Sequence, residues 1–221
     1  MHKLYHFPLS PPCRKVRLVL AEKGLDVELI EERYWENRQD FLRMNPAGDV
    51  PVLRNPELVL PVATAICEYI EERHPEPPLL PKTVKARAEV RRLVGWFDEK
   101  FGREVSEPLL RERVIKKLSM TGQPDSQAVK SGVKAARFHL DYMNWLLERR
   151  KWLGGDAISL ADFTAAAHLS CLDYISDVDW TRSEIVKEWY ATVKSRPAFR
   201  SLLADQLPGF PAASHYSDLD F

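Results

Sequence analysis

A cluster of prolines divides this chain of 221 residues into two parts of different character. Four prolines occur within seven residues, at positions 75, 77, 78 and 81. Such a segment cannot form a helix or a central strand, because proline lacks a backbone N–H and fixes φ. We therefore predict a proline-rich linker over residues 75–83. Strand-like and helix-like segments alternate before it, whereas the chain after it, as far as residue 206, has helical periodicity.

The part before the linker, residues 1–74, is predicted to contain four strands and three helices. The spacing of Val16, Val19 and Leu20 is helical, and Gly24 is a natural helix end. The turn at residues 55–56 separates two short apolar runs that are typical of strands. The predicted order is βαβ followed by ββα, with strands at 3–7, 27–30, 50–53 and 58–60 and helices at 13–23, 39–44 and 64–74.

The part after the linker is predicted to be an all-helical domain, residues 84–206, followed by a tail, residues 207–221. Apolar residues recur at helical spacing in two long stretches, 90–101 and 133–147. Ser159 and Asp162 match a capping box, in which each residue satisfies a backbone N–H of the other at a helix start. The predicted fold class is therefore a small α/β domain joined to an all-α domain.

Four segments resemble motifs of the glutathione S-transferase superfamily, in the same order and with similar spacing. They are the helix at 10–25, the run N-P-A-G-D-V-P-V-L at 45–53, the stretch A-I-C-E-Y-I at 65–70 followed by His74-Pro75, and the capping box at 159–162. The resemblance implies a thioredoxin-like N-terminal domain and a C-terminal helical bundle. Periodicity alone predicts the same two kinds of domain. The resemblance also implies a homodimer.

Composition excludes several classes of function. Lys and Arg together number 32, as do Asp and Glu, so the formal net charge is zero and bulk nucleic-acid binding is not expected. No apolar run approaches the roughly 20 residues of a membrane helix, so membrane insertion is not expected either. The three widely spaced cysteines predict neither a disulfide framework nor a metal site, and they are typical of the reducing cytoplasm.

Ser10 occupies the position at which, as the resemblance implies, serine-type and cysteine-type relatives carry their catalytic residue. A hydroxyl and free amides at a helix N-terminus would favour a bound thiolate over its thiol. Serine is also a preferred N-cap residue, so Ser10 is equally well explained as a cap. Cys13 lacks the second thiol of a C-x-x-C pair, and we predict a buried apolar residue rather than a nucleophile.

Of the other positions of the implied glutathione site, two match the family pattern and two depart from it. Val50 and Pro51 match the family's backbone clamp, with their peptide bond expected in cis. The family usually has an acidic residue and a serine where this chain has Val62 and Ala63. Without an acid and a hydroxyl at these two positions, the charged end of glutathione would lack its partners. A loss of about 3 kcal/mol of interaction would weaken glutathione binding more than a hundredfold. Thr64 offers a substitute hydroxyl, but we expect no nearby acid, weak or absent glutathione binding, and no cofactor.

Surface residues are then the candidates for binding a partner. Tyr34 and Trp35 lie in a charged, loop-like stretch, which suits an interface anchor but equally suits folding back onto the domain or a second subunit. The chain from residue 201 onward carries no Lys or Arg and has an acidic, aromatic end, which favours either docking or packing on the helical domain. The docking candidates there are Asp218, Asp220 and Phe221.

Three functions are compatible with these residues. The first is implied by a resemblance to alphaproteobacterial members of the superfamily that act in cell division. It is a non-catalytic homodimer at the cytoplasmic division site that binds FtsZ filaments and regulates their curvature and constriction. The second is a glutathione transferase or thiol-dependent isomerase that uses Ser10. The third is a protein that binds an apolar ligand, which Val62 and Ala63 would favour; the first is our working hypothesis.

Overall fold

The first part of the chain forms a mixed four-stranded sheet with helices packed on it. The computed structural model describes residues 2–219. The elements are β1 (His2–His6), α1 (Pro11–Glu22), β2 (Val27–Glu31), a 3-10 turn (Tyr34–Glu36), α2 (Gln39–Met44), β3 (Val52–Arg54), β4 (Val59–Pro61) and α3 (Ala63–Arg73). The strand order is β2-β1-β3-β4, in which β1 and β2 are parallel and the other two pairs are antiparallel. The predicted order of βαβ followed by ββα is confirmed.

Two elements begin two residues away from their predicted start, and proline explains both differences. Helix α1 begins at Pro11 instead of residue 13, because the first turn of a helix tolerates residues without an N–H. Strand β3 begins at Val52 instead of residue 50, because Pro51 has no N–H to donate to a neighbouring strand. Ser10 and Val50 therefore lie in the connections that lead into these elements.

The second part of the chain is all-helical, as predicted. Its elements are α4 (Val84–Gly95), a π-helical stretch (Trp96–Ser106), α5 (Glu107–Leu110), a second π-helical stretch (Arg111–Ile115), α6 (Lys116–Leu118), α7 (Ser126–Leu147), α8 (Leu160–Tyr174), a 3-10 turn (Trp180–Arg182), α9 (Glu184–Lys194), another 3-10 turn (Pro197–Phe199) and α10 (Arg200–Leu203). Residues 84–118 form one continuous helical segment, in which Pro108 cannot donate to the regular hydrogen-bond ladder. Within residues 2–219, none of the helices has the length and apolar character to cross a membrane.

Helix α8 is the centre of the molecule. All of its residues are buried, and the predicted capping box is present at its start. The Asp162 carboxylate accepts hydrogen bonds from the backbone N–H groups of Ser159 and Leu153, both at 2.9 Å, and from the indole N–H of Trp189 at 3.0 Å. Because α8 packs on α1, one apolar core runs through both parts of the chain.

The proline-rich segment is packed against both parts instead of spanning solvent. Leu79 and Leu80 are buried, and their backbone N–H groups donate to the carboxylate of Glu71 at 2.9 and 3.0 Å. The carbonyl of Leu79 accepts the N–H of Leu160, the first residue of α8, at 2.9 Å. This segment therefore helps to fix the helical part on the sheet.

A buried arginine at the interface between the two parts binds residues of the last segment that the structure describes. Arg14 of α1 is fully buried, and its guanidinium donates to four groups. They are the Pro8 carbonyl (2.7 Å), the Ser170 hydroxyl (2.9 Å), the Tyr216 hydroxyl (3.0 Å) and the Asp205 carboxylate (3.2 Å). Arg17 binds the same carboxylate at 2.8 and 2.9 Å. At least one tail aromatic, Tyr216, therefore packs back on the helical domain.

We expect Arg14→Met to lower the free energy of unfolding by about 3 to 5 kcal/mol, because it removes the donor from several buried acceptors at once. Denaturant unfolding measures the loss. The matched control is Arg43→Met, since Arg43 pairs with Asp40 where both side chains are about 80% exposed. Its expected loss is below about 0.5 kcal/mol. Equal losses in the two variants would contradict the anchoring role of Arg14.

Candidate functional site

A cleft between the sheet and the helical part contains the implied glutathione site. Its main cavity, of about 650 Å³, is lined by Ser10 and Val50 and, from the helical part, by the first π-helical stretch and α8. A smaller cavity of about 190 Å³ shares Val50 with it and is also lined by Pro51, Val62 and Ala63. The structure thus brings together the five residues that we singled out as a vestigial glutathione site.

Ser10 caps α1, but the helix start has few amides for a ligand. The Ser10 hydroxyl oxygen accepts the N–H of Cys13 at 3.5 Å, and the residue is 8% exposed. The two intervening residues, Pro11 and Pro12, have no N–H. The expectation of free amides is therefore wrong: among the first three helical residues only Cys13 has an N–H, and Ser10 already accepts it.

Cys13 is buried, as predicted, and so are the other two cysteines. The Cys13 sulfur accepts the N–H of Phe7 at 3.4 Å. Burial raises the pKa of the Cys13 thiol to about 12, that of Cys67 to about 12 and that of Cys171 to about 11. All three thiols are therefore protonated at neutral pH, and a thiol without its thiolate form is a poor nucleophile.

The backbone clamp of the implied site is retained. The Val50–Pro51 peptide bond is cis, as predicted. The loop before it is held by Asn45, whose side-chain amide donates to the Asp49 carbonyl at 2.9 Å. Val50 lines both cavities of the cleft. Both residues of the implied clamp therefore border the cleft, Val50 at both cavities and Pro51 at the smaller one.

The pocket for a charged ligand end contains a carboxylate that sequence reasoning missed. Asp98, from the first π-helical stretch, lines the smaller cavity together with Val62 and Ala63. The expectation that no acid lies near these two residues is therefore wrong. Thr64, the predicted substitute hydroxyl, donates to Asp98 Oδ2 at 3.1 Å. Because Asp98 belongs to the helical part, no motif around residue 62 could indicate it.

A cation of the protein itself neutralises this carboxylate. Lys15 of α1 is 1% exposed, and its Nζ donates to Asp98 Oδ2 at 2.5 Å and to Thr64 Oγ1 at 3.2 Å. Burial would raise the pKa of Asp98, but the neighbouring His168 and Lys15 outweigh burial and lower that pKa to about 2. Asp98 is therefore ionised at neutral pH. A ligand ammonium would have to compete with the buried Lys15 for it.

A serine and a histidine form a second polar group in the main cavity. Ser106 Oγ lies 2.8 Å from His168 Nδ1, and His168 Nε2 lies 3.8 Å from Asp98 Oδ1. Burial lowers the pKa of His168, so its imidazole is neutral at neutral pH. Sequence reasoning missed both residues, because they are 62 positions apart and belong to different helices.

The predicted aromatic pair is folded back on the sheet. Tyr34 and Trp35 form the 3-10 turn after β2, and both are partly buried. The ring centroid of Trp35 lies 5.1 Å from that of Phe7 and 5.1 Å from that of Tyr34, with the rings edge to face. Tyr34 also lines the main cavity. The exposed part of the Trp35 ring is therefore the surface of this pair that a partner could contact.

The described part of the tail packs on the helical domain. Tyr216 is buried, and the Lys194 ammonium donates to the backbone carbonyl of Asp218 at 2.7 Å. The residue Asp218 is nevertheless exposed. The other two candidates, Asp220 and Phe221, lie outside the described residues.

Comparison with known proteins identifies relatives over the whole chain. A family model of the glutathione S-transferase N-terminal domain matches residues 4–78. FtsZ-localized protein A of Caulobacter vibrioides (strain NA1000 / CB15N) is 49% identical over 99% of this chain and 97% of that protein. The structure of FzlA from C. crescentus matches with a TM-score of 0.96 at 49% identity, over 100% of this chain and 99% of that one. A crystal structure of a glutathione S-transferase from Rhodospirillum rubrum F11 is as similar, with a TM-score of 0.98 at 51% identity over 100% of both chains.

We expect no saturable binding when glutathione is titrated calorimetrically into the protein up to several millimolar. The double variant Val62→Glu/Ala63→Ser restores the family pattern, and we expect its affinity to be at least about tenfold higher, because the ammonium and the carboxylate of the γ-glutamyl end regain partners. Val59→Glu places the same charge at another exposed valine outside the two cavities and is the matched control. Clear binding by the unmodified protein, or no gain in the double variant, would contradict the assigned roles of Val62 and Ala63.

We expect none of the three cysteines to react with a chromogenic disulfide reagent at neutral pH while the protein is folded. Each thiol is buried and has a raised pKa, so both access and thiolate are lacking. All three are expected to react after denaturation, which is the internal control. Rapid modification of any thiol in the folded protein would show that its surroundings differ from those described.

Proposed function

This chain belongs to the glutathione S-transferase superfamily, and we propose that it binds filaments of FtsZ in cell division instead of transferring glutathione. The observation that carries the proposal is the full-length similarity to a protein named for its localisation with FtsZ. By the same reasoning, its place of action is the division site in the cytoplasm. We further propose that it works as a homodimer and regulates filament curvature and constriction.

The chemistry of the cleft supports a role without glutathione. Lys15 pairs with Asp98 inside the pocket, and Val62 and Ala63 supply no partner for a charged ligand end. The start of α1 supplies only one N–H in its first three residues, and Ser10 accepts it. A fold that retains its architecture but has lost these partners can still present its surface to another protein.

Trp35 and Asp218 are the proposed contact residues. Trp35 packs against a buried cluster that contains Phe7, and Tyr216, two residues before Asp218, belongs to the same cluster. Trp35 therefore borders this cluster, and Asp218 follows one of its members in the chain. Large aromatic residues often dominate binding energy, whereas acidic residues accelerate encounter with a cationic partner.

Glutathione transfer by Ser10 is the second candidate function. It is favoured by the position of Ser10 at the cleft and by the similarity to the R. rubrum structure described as a glutathione S-transferase. The two candidates differ in what they require of Ser10. Transfer needs its hydroxyl beside the sulfur of bound glutathione, whereas filament binding does not.

We expect the protein to sediment with FtsZ filaments assembled with GTP. Trp35→Ala is expected to weaken this binding at least about tenfold, because loss of an interface aromatic typically costs about 2 kcal/mol. Asp218→Lys is expected to weaken it several-fold at low salt and less at high salt, because salt screens an exposed charge. The matched control is Asp26→Lys, which reverses an exposed aspartate at the other end of β2 from Trp35.

Protein that stays in the supernatant while the filaments sediment would contradict the proposal. Equal binding by the Asp218→Lys and Asp26→Lys variants would remove the tail from the contact surface. Ser10→Ala separates the two candidate functions. If cells that carry only the Ser10→Ala variant fail to divide normally, the result would favour the enzyme and count against the filament-binding protein.

A further inference from the structure

The main cavity contains a hydroxyl, an imidazole and a carboxylate in a chain of contacts. Ser106 Oγ is 2.8 Å from His168 Nδ1, and His168 Nε2 is 3.8 Å from Asp98 Oδ1. All three residues line the cavity of about 650 Å³. A nucleophile in contact with a base, which in turn faces an orienting group, is the arrangement that hydrolytic serine sites share on unrelated folds.

The charge on Asp98 decides which ring nitrogen of His168 carries the hydrogen. An ionised carboxylate only accepts hydrogen bonds, so the nitrogen that faces it, Nε2, is the one with the hydrogen. Nδ1 is then an acceptor, and the Ser106 hydroxyl must be the donor of the 2.8 Å contact. This is the direction in which a base removes a proton from a serine.

His168 is buried, and its Nε2 faces Asp98 at a distance longer than a hydrogen bond. The residue is 3% exposed, and its buried Nε2 has no hydrogen-bond partner among the described residues. An unsatisfied buried nitrogen costs about 1–3 kcal/mol, so its retention requires an explanation. Asp98 and Ser106 are both in the first π-helical stretch, a geometry that occurs often at functional sites.

The rest of the cavity suits a small ester. Leu9, Leu110 and Ile115 provide apolar walls for an acyl chain. Arg103 and Arg111 line the same cavity, and neither forms a salt bridge with any residue that the structure describes. Both arginines are exposed, and Glu99 and Glu107 line the cavity as well, so its polar walls carry charges of both signs.

We propose that Ser106 is a nucleophile toward short-chain carboxylic esters, with His168 as its general base and Asp98 as a positioning residue. Ser106 Oγ forms a bond to the carbonyl carbon while its proton moves to His168 Nδ1. The bond to the alkoxy oxygen then breaks, and the alcohol leaves with that proton. Water next attacks the acyl carbon, giving a proton to Nδ1, and Ser106 Oγ leaves and takes this proton back. The products are the alcohol and the carboxylic acid.

This activity is independent of filament binding and of glutathione. The proposed contact residues Trp35 and Asp218 take no part in it, and neither does Ser10. A buried contact between a serine and a histidine would also be expected if the pair only joined two helices. Reaction with an electrophile distinguishes the two cases, because a merely structural hydroxyl has no activated oxygen.

The test is labelling of the full-length protein with diisopropyl fluorophosphate, in which Ser106 Oγ would bond to phosphorus and fluoride would leave. Trypsin cuts after Arg103 and Arg111, and Ser106 is the only hydroxyl residue in the resulting peptide 104–111. Ser10 falls in a different peptide, 4–14. We expect the adduct in peptide 104–111, and hydrolysis of 4-nitrophenyl acetate to stop as labelling proceeds.

Substitutions of Ser106 and His168 test the role of each residue in hydrolysis. Ser106→Ala and His168→Gln are each expected to lower the hydrolysis rate at least about a hundredfold, the usual range for a base-activated group. The control is Ser195→Ala, which removes an exposed hydroxyl at the residue after α9 and should change nothing. An unlabelled peptide 104–111 in the folded wild-type protein, or an adduct only on peptide 4–14, would overturn the proposal. This result does not depend on whether the variants fold.

Discussion

The ion pair between the buried Lys15 and the partly buried Asp98 determines what the cleft of this protein can do. Lys15 comes from the first helix of the sheet domain and Asp98 from the helical domain, so the pair joins the two parts at the point where a ligand would enter. Removing either partner would leave a buried charge unpaired, which is more costly than never having had the pair. The Asp98 carboxylate is therefore already paired with the Lys15 ammonium, and glutathione would meet an acid whose charge is neutralised.

The same helix explains why the fold persists without its usual ligand. Three cations, Arg14, Lys15 and Arg17, are buried within four residues of α1, and each binds an acceptor supplied by the helical domain or the segment after it. Helix α1 thus joins the domains by directed charge contacts as well as by the apolar core that it shares with α8. These contacts also hold the tail, because the Arg14 guanidinium donates to the Tyr216 hydroxyl.

The architecture was predictable from sequence because its signals are local. Prolines, helical periodicity and the capping box at Ser159 and Asp162 each act within a few residues, and the absence of N–H groups at Pro11 and Pro12 could also have been read there. The site was predictable only in part. Asp98 lies 83 residues beyond Lys15 in the chain, so only the tertiary fold brings it into the pocket. The contact of Trp35 with Phe7 likewise depends on the tertiary fold.

A double-mutant cycle on Lys15 and Asp98 tests the central claim most directly. The free energies of unfolding of the wild type, Lys15→Met, Asp98→Asn and the double variant give the coupling energy of the pair. A buried, tightly bound pair predicts a coupling of about 2 kcal/mol or more, with the double variant more stable than the sum of the single losses implies. A coupling below about 0.5 kcal/mol, as between exposed charges, would show that Lys15 is not a strong partner of Asp98 in the pocket and would contradict the account.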